Sequence, residues 1–326
     1  FVANVFVANT HTPMLFFSSI GQVYKLKVYK LPQGTPQARG KAMVNMLPLS
    51  TDETITTIMP LPEDETTWDE LHIMFATSNG KVRRNSLDDF SQVKANGKIA
   101  IRLDDDDALV GVATCSEEDD VLLAGHGGKC IRFPVTAVRV FKSRTSDGVR
   151  GINLGKDDKV LSMSIVRHEK IDVEERDAYL RWSNANRRGE EVTDTGLAPE
   201  RLAEIAEREE FILSVTENGF GKRTSAYEYR IAGRGGQGII NIETSDRNGG
   251  VVAAFTVADD DEIMLVTNAG QLIRCPVHDI RIAGRNTQGV TLFKTSDDEQ
   301  VVSVAHLVGT EDDGDDEEDN DDDSNA

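Results

Sequence analysis

A turn motif that recurs five times constrains the fold of this chain more than any other feature. Each copy consists of an apolar run, a tight turn that ends in glycine, and a second extended run. Glycine supplies the positive φ that tight hairpin turns need, so each copy predicts a β-hairpin. Apart from one longer interval, the turn glycines recur roughly every 50 residues, a period that suits the four-stranded blades of a propeller-like fold. The five turns are SSIG at 18–21, TSNG at 77–80, GHGG at 125–128, TENG at 216–219 and TNAG at 267–270.

The remainder of each repeat follows a common order. After the hairpin come a glycine-containing loop, a short extended segment, an acidic turn such as TSDDE, and a final apolar strand such as VVSVAHL. This order predicts an all-β chain of five repeats with four antiparallel strands in each.

Gly233, Gly235 and Gly238 match the spacing G-x-G-x-x-G of dinucleotide-binding loops. Such a loop needs a helix after it, because the helix N-terminus holds the pyrophosphate. The following residues IINIETSD have strand character instead, and the second copy of this loop, RIAGRNTQGVT, loses the pattern. The sequence therefore predicts a repeated structural loop and no nucleotide site.

Basic residues recur at equivalent positions of the repeats. Every turn glycine is followed four positions later by a Lys or Arg, although only 36 of the 326 residues are basic. The glycine loops are basic as well. One interpretation is that these cations have no common function, since exposed loops and strand ends are often rich in Lys and Arg and a sequence repeat would copy them into every unit. The alternative is a curved positive belt, which would attract duplex DNA without reading its sequence. The cations expected to contact DNA are Lys25, Lys27, Arg39, Lys41, Arg83, Arg84, Lys94, Lys98, Arg132, Lys142, Arg144, Arg150, Lys222, Arg223, Arg230, Arg234, Arg274, Arg281 and Arg285.

The charge of the chain is segregated. The formal net charge is −20, but residues 311–323 hold eleven acidic residues and no basic one. More than half of the net charge thus lies in a tail at 309–326, which we expect to be disordered. One hypothesis is that this tail competes with DNA for the belt, and the other is that it only solubilises the chain.

Residues 167–209 interrupt the repeats with helical signals. The segment contains DVEERDAYLRW and LAPERLAEIAEREE, in which Pro199 suits a first helical position. We expect two helices, which either are a tolerated surface insertion or dock a partner protein. Residues 1–308 are then one domain that carries this insertion.

No catalytic or metal-binding constellation stands out. The three cysteines, Cys115, Cys130 and Cys275, form no CxxC pair, the six histidines lack metal-ligand spacing, and no apolar run reaches the length of a membrane span. These features favour a reducing cytoplasm without membrane association. The start at Phe1 rather than Met indicates a piece of a longer protein. The first ten residues, FVANVFVANT, have no basic n-region and are too short for a signal peptide.

Several stretches of the chain resemble the C-terminal domain of the A-type polypeptide of bacterial DNA gyrase. The resemblance covers nearly everything except 167–209 and the acidic tail. It is carried by VANTHTPMLFFSSIGQVYKLKVYKLP, ARGKAMVNMLPL, FATSNGKVRR, GVRGINLGKDDKV, TENGFGKRT and IAGRNTQGV.

The resemblance implies a β-pinwheel, a disc of six blades that exchange strands and wrap duplex DNA around a basic rim. It further implies an A2B2 assembly with gyrase B, which introduces negative supercoils using ATP and Mg. The catalytic tyrosine and the ATP site would lie outside this chain, so no cofactor and no catalytic residue are expected here. A cytoplasmic, nucleoid-associated location follows.

Two departures from the family accompany the resemblance. The chain has five repeats, and the gyrase-A box is absent, since QARGKAM at 37–43 is only similar to it. The simplest explanation is a chain that begins just after the box. The A-type polypeptide of topoisomerase IV is the near alternative, and a propeller-like scaffold for protein recognition is the alternative from another class.

Overall fold

The computed structural model describes residues 8–35, 38–62, 64–192, 195–296 and 298–309. The acidic tail from 310 onward and Gln37 lie outside the described residues. Nineteen strands and two helices form the described part of the chain. The strands are β1 (Pro13–Ser18), β2 (Gln22–Lys27), β3 (Ile55–Pro60), β4 (His72–Thr77), β5 (Lys81–Ser86), β6 (Lys98–Ile99), β7 (Leu109–Cys115), β8 (Asp119–Gly125), β9 (Lys129–Pro134), β10 (Val149–Arg150), β11 (Val160–Arg167), β12 (Phe211–Thr216), β13 (Phe220–Ser225), β14 (Ile239–Ile240), β15 (Val251–Val257), β16 (Glu262–Thr267), β17 (Leu272–Pro276), β18 (Val290–Thr291) and β19 (Val301–Leu307). The helices are α1 (Val173–Arg187) and α2 (Pro199–Glu207).

The strands form five antiparallel sheets in which neighbouring repeats exchange a strand. The first four sheets have the orders β3-β1-β2-β6, β7-β4-β5-β10, β11-β8-β9-β14 and β15-β12-β13-β18. The fourth strand of each therefore comes from the following repeat. The fifth sheet has three strands, in the order β19-β16-β17. The expected five repeats and the implied strand exchange are confirmed, with this three-stranded sheet as the difference within the described residues.

The hairpin turns have the backbone geometry that their glycines predict. The φ values of Gly21, Gly80, Gly128, Gly219 and Gly270 lie between 74° and 84°. At Gly128 a Cβ atom would also lie 2.4 Å from the carbonyl oxygen of Ile242, in the segment that follows the exchanged strand β14. Glycine is thus needed there both for the turn and for the close approach of the next repeat.

The cores lie between consecutive sheets. Leu15 and Phe17 of the first sheet share one buried cluster with Ile73 and Phe75 of the second. The rings of Phe17 and Phe75 meet edge to face at a centroid distance of 5.7 Å, an arrangement that stabilises aromatic pairs beyond their buried area. Each repeat consequently buries its apolar face only against its neighbours, as repeat architectures require.

The strands that end each repeat pack in series, β3 on β7, β7 on β11, β11 on β15 and β15 on β19. Within the described ranges, β3 and β19 do not pack in this way. A segment of the first repeat that contains Leu47 packs with Met14 and Phe16 of β1. The described residues therefore form a row of five sheets, each packed on the next.

The insertion forms the two helices that its sequence predicts. Asp172 caps α1, because its side chain accepts a hydrogen bond from the backbone N–H of Glu175, and Pro199 begins α2. Tyr179, Ile205 and Tyr227 are the buried members of a small apolar cluster. Neither helix of the described chain is long and apolar enough to cross a membrane.

Candidate nucleic-acid interface

Three of the five cations that follow the turn glycines are buried inside the sheets. Arg84, Arg132 and Arg223 are 4–5% exposed, and we call them the buried column. Each lies in the second strand of its hairpin, opposite an apolar residue of the neighbouring strand. A charged side chain at such a position must be paired and hydrogen-bonded internally.

Arg132 shows how this requirement is met. Its Nε donates to Oδ2 of the buried Asp120 at 2.8 Å, and its Nη1 and Nη2 donate to the carbonyl oxygens of Ala226 and Arg167 at 2.8 and 2.7 Å. Ala226 belongs to the next repeat, and the His168 ring lies 2.8 Å from the other oxygen of Asp120. Arg132 therefore joins consecutive repeats through an internal charged network.

Arg223 and Arg84 occupy equivalent positions. Arg223 is paired with Asp259, and its Nε donates to the carbonyl oxygen of Ile280 in the fifth repeat at 2.7 Å. Arg84 Nη1 lies 3.2 Å from a carboxylate oxygen of Glu117. The buried column thus has a common role in holding the connection that leads into the next repeat.

The other two cations that follow a turn glycine by four positions, Lys25 and Arg274, also have protein partners but are more exposed. The ammonium group of Lys25 donates to the carbonyl oxygen of Ser91 at 2.6 Å and lies 5.3 Å from the ring centroid of Trp68. Arg274 is exposed and paired with Glu262. Both have protein partners already, so a contact with DNA would compete with these interactions.

Two further cations hold the glycine loops of the following repeat. Lys222 is fully buried, and its Nζ donates to the carbonyl oxygens of Gly284 and Arg285 at 2.6 and 2.7 Å. Arg83 donates in the same way to the carbonyl oxygens of Arg144 and Ser146 at 2.6 and 2.8 Å. Burial lowers the pKa of Lys222 to about 8 and that of Arg83 to about 10.

These placements correct part of the expected site. Five cations expected to contact DNA are buried, and each donates at least one hydrogen bond to a carboxylate or carbonyl oxygen of the protein. A phosphate could reach them only if those internal interactions were broken. We therefore remove them from the candidate interface: Arg83, Arg84, Arg132, Lys222 and Arg223.

Nine of the other expected cations lie on the loops that carry the chain from one sheet to the previous one, or in the exchanged strands that these loops enter. We call these cations the outer belt: Lys94, Lys98, Lys142, Arg144, Arg150, Arg230, Arg234, Arg281 and Arg285. Five of them are exposed, and their side chains make no hydrogen bond or ion pair with the described residues: Lys94, Lys142, Arg150, Arg230 and Arg281. In the first repeat the same is true of Lys27, Arg39 and Lys41.

The loops of the outer belt contact each other in sequence. In each case an arginine Nη1 donates to a carbonyl oxygen of the preceding exchanged strand. The hydrogen bonds are Arg144 to Ile99 at 3.4 Å, Arg234 to Arg150 at 3.1 Å, and Arg285 to Ile240 at 2.6 Å. Partial burial and the nearby charge of Arg144 lower the pKa of Lys98. The loops that carry the outer belt are thus hydrogen-bonded to one another in series from the second repeat to the fifth.

Sequence reasoning missed two exposed cations beside these loops. Lys129 begins β9 and is directly opposite Ile240 of the exchanged strand β14. The guanidinium of Arg139 stacks 3.9 Å from the ring centroid of Phe141. The only signal for either was a basic residue next to a predicted strand or loop, which is too common to select them.

The described residues contain no group of three or more His, Cys, Asp or Glu side chains arranged to hold a metal ion. The G-x-G-x-x-G residues 233–238 form an irregular loop that enters the two-residue strand β14, with no helix after it. That loop consequently lacks the helix N-terminus that holds a dinucleotide pyrophosphate.

Comparison with known proteins agrees with this architecture. A family model described as the DNA gyrase C-terminal domain, a beta-propeller, matches five segments that correspond to the five repeats: residues 13–62, 71–116, 119–167, 210–258 and 261–306. These segments together make up more than half of the chain. None of them includes the helical insertion.

Among curated proteins, the chain is 56% identical over 319 residues to the DNA gyrase A polypeptide of Rickettsia bellii, a match that covers 95% of this chain and 35% of the relative. It is 40% identical over 315 residues to the DNA gyrase A polypeptide of Escherichia coli, a match that covers 97% of this chain and 31% of the relative. The chain thus spans about a third of the length of these relatives.

Two solved structures share the fold. The C-terminal domain of DNA topoisomerase IV superposes with a TM-score of 0.70 at 21% identity, over 92% of this chain and 80% of that one. A DNA gyrase A C-terminal domain superposes with a TM-score of 0.68 at 21% identity, over 94% and 90%. The family model matches all five repeats, and the chain belongs to the DNA gyrase C-terminal domain family.

Proposed function

We propose that this chain binds duplex DNA along the outer belt and bends it around the row of sheets. The observation that supports this most is the set of exposed cations without internal partners on loops that contact one another in series. The DNA phosphates would replace solvent as their partners. Base sequence would not be read, because the cations of the outer belt lie on loops and short strands that meet phosphates, and none of them lies on a helix.

Charge density and bending energy are compatible with this proposal. Duplex DNA carries one charge per ~1.7 Å of its axis, so a series of cations on successive loops meets many phosphates. Bending a site of 20–30 base pairs by 40–90° costs on the order of 1–6 kcal/mol. Phosphate contacts spread over several repeats can offset such a cost.

The whole protein to which this domain belongs is proposed to be the A polypeptide of DNA gyrase. Its curated relatives carry that name. In an assembly with gyrase B, the wrapped DNA would be presented for strand passage, and ATP would drive negative supercoiling. The cleavage and ATP sites, with the Mg they use, are assigned to the parts beyond this chain, and the location to the cytoplasm.

A salt titration tests DNA binding. The logarithm of the affinity for a duplex of mixed sequence should fall linearly with the logarithm of salt concentration, with a slope of about −0.9 per phosphate contacted. Replacing one unpaired cation on each of three loops, in Lys94→Ala/Lys142→Ala/Arg281→Ala, should make that slope shallower by about 2.7.

The matched control removes three exposed cations that lie near the acidic turns, in Lys156→Ala/Arg247→Ala/Lys294→Ala. Both variants change the net charge equally, so a belt predicts a loss only in the first. Equal losses would indicate nonlocal electrostatics, and the absence of any duplex affinity would refute the proposed function. Wrapping is then measured by nicking and religating a relaxed plasmid with the bound chain, with a shift toward positive writhe expected.

A further inference from the structure

The helical insertion lies directly beside the outer belt. Helix α1 packs on the short turn of the fourth repeat at Ala226–Glu228. The rings of Tyr179 and Tyr227 meet edge to face at 5.5 Å, and the Tyr227 hydroxyl donates to the carbonyl oxygen of Ile205 at 2.9 Å. Because the contacts come from both helices, the insertion is held in a fixed position against the loop that carries Arg230.

A cleft of about 510 Å³ separates α1 from the belt. One wall is a face of α1 with residues four apart, and the other wall consists of the belt loops of the fourth and fifth repeats. The lining residues are Arg176, Asp177, Leu180 and Asn184 on the helix, and Glu228, Arg230, Gly284 and Arg285 on the loops. An adjoining cleft of about 430 Å³ shares Arg176 and Arg230 with it.

The charges that line this cleft favour an anion. Arg230 is exposed and has no hydrogen bond or ion pair with the described residues, while Arg176 pairs only with its sequence neighbour Asp177, at 2.7 Å. One oxygen of Glu228 accepts a hydrogen bond from the backbone N–H of Arg285. The cleft therefore holds three guanidinium groups against two carboxylates, a formal net charge of +1. The guanidinium of Arg285 also donates to the carbonyl oxygens of Glu228 and Ile240, which leaves Arg230 as the cation of this cleft without a partner among the described residues.

The acidic residues elsewhere in the insertion do not face this cleft. Five of them are paired within the insertion, in the contacts Glu169–Arg208, Glu175–Arg201, Glu190–Arg188, Glu204–Arg201 and Glu209–Arg187. None of these carboxylates lines the cleft, and of these, Glu169 lines the adjoining cleft. The insertion is rich in acids as a whole, yet the face of α1 that lines the cleft contributes one carboxylate, Asp177, beside Arg176, Leu180 and Asn184.

We propose that the insertion forms a side wall of the DNA-binding surface, and that the cleft between α1 and the belt receives the phosphate backbone of the bound duplex. This inference rests on the proposed function, because Arg230 and Arg285 belong to both the belt and the cleft. The insertion thereby turns an open track into a groove at the fourth and fifth repeats, which fixes the lateral position of the DNA there.

The test uses a pair of asparagines on the same helix. Asn184 lines the cleft, whereas Asn186 is exposed and does not. Asn184→Asp adds one negative charge with little change in shape, so affinity for a duplex should fall about fivefold at low salt, as expected for one close like-charge contact in water. Asn186→Asp makes the same change of net charge and should leave the affinity unchanged.

A substitution that should tighten duplex binding provides a second measurement. Asn184→Arg adds a cation to the cleft and should tighten binding, with a salt slope steeper by up to about 0.9. Thermal unfolding of each variant shows whether the fold is kept. Equal affinities for Asn184→Asp, Asn186→Asp and Asn184→Arg would overturn the inference.

A fourth variant separates this inference from the proposed function. Lys142→Ala removes a belt cation that does not line the cleft. If Lys142→Ala weakens duplex binding while the Asn184 variants do not change it, DNA binding by the outer belt is supported and the proposed side wall is refuted. If none of the four variants changes binding, the proposed function fails as well.

Discussion

The buried column and the outer belt contain the same residue types at the same repeat period, but they lie in opposite surroundings. Arg132 in the column gives its guanidinium donors to Asp120 and to two carbonyl oxygens. Arg230 on the belt of the next repeat is exposed and meets no partner among the described residues. A cation that recurs in a repeat protein can therefore hold the repeats together or bind a ligand, and only its environment distinguishes the two roles.

The glycine loops of the repeats connect the buried cations with the exposed ones. The buried cations Arg83 and Lys222 hold loops from inside, by donating to carbonyl oxygens at 144, 146, 284 and 285. The same two loops present Lys142 and Arg281 to solvent. The interior cations thus position the exposed ones, and the comparison can be tested by changing one region at a time.

The largest effect is expected from Arg132→Met. This substitution leaves the buried Asp120 without its main partner, and breaking a buried ion pair in this way costs about 3–5 kcal/mol of unfolding free energy. Urea denaturation measures the loss. The control is Arg230→Met, an exposed and unpaired position of the belt, which should change stability by less than about 0.5 kcal/mol. Similar losses for both would remove the distinction between column and belt.

A smaller effect is expected from Lys222→Met. The carbonyl oxygens of Gly284 and Arg285 would lose a charged donor, and one such hydrogen bond contributes about 1.5–3 kcal/mol. The loop at 284–287 should also exchange its amide hydrogens faster, because its internal support is gone. Unchanged hydrogen exchange in this loop would show that Lys222 does not position it.

The smallest effect is expected from pH, through the same lysine. Burial lowers the pKa of Lys222 to about 8 in the folded state, whereas an unfolded lysine keeps its proton to about pH 10.4. Between these values the unfolded chain binds more protons, so this group makes stability rise with pH above 8 and adds no slope well below it. From pH 8 to 9 the gain is about 1 kcal/mol.

The pH prediction is measured as the difference between the wild-type chain and Lys222→Met in urea denaturation at pH 7, 8 and 9. The variant lacks the titrating group, so its stability should not show this rise. Parallel pH profiles for the two proteins would mean that Lys222 keeps its proton over this range.

Much of the fold was predictable because its signals are local. The apolar runs, the turn glycines and their period are properties of short segments, and they predicted five hairpins and an insertion of two helices, all of which are confirmed. The short exchanged strands, such as Val149–Arg150, gave a weaker signal. Two residues cannot carry a pattern, and their partner strand lies in the previous repeat.

The candidate site was predicted only in part. The sequence placed Arg83 and Arg84 together among the DNA-binding residues, and both are buried. The register of β4 and β5 places Arg84 opposite Met74, but that register becomes visible only when the sheets are assembled. The cleft beside α1 could not be predicted, because it joins residues from the insertion and from two later loops.

The sequence alone determined the repeated β architecture and the identity of its recurring cations, since turn chemistry and hydrophobic period act within one repeat. The tertiary structure decided which of those cations are available to a ligand. Burial and pairing depend on residues far apart in the chain, such as Arg132 and Ala226, and a charge is free to bind DNA only where no such partner has satisfied it.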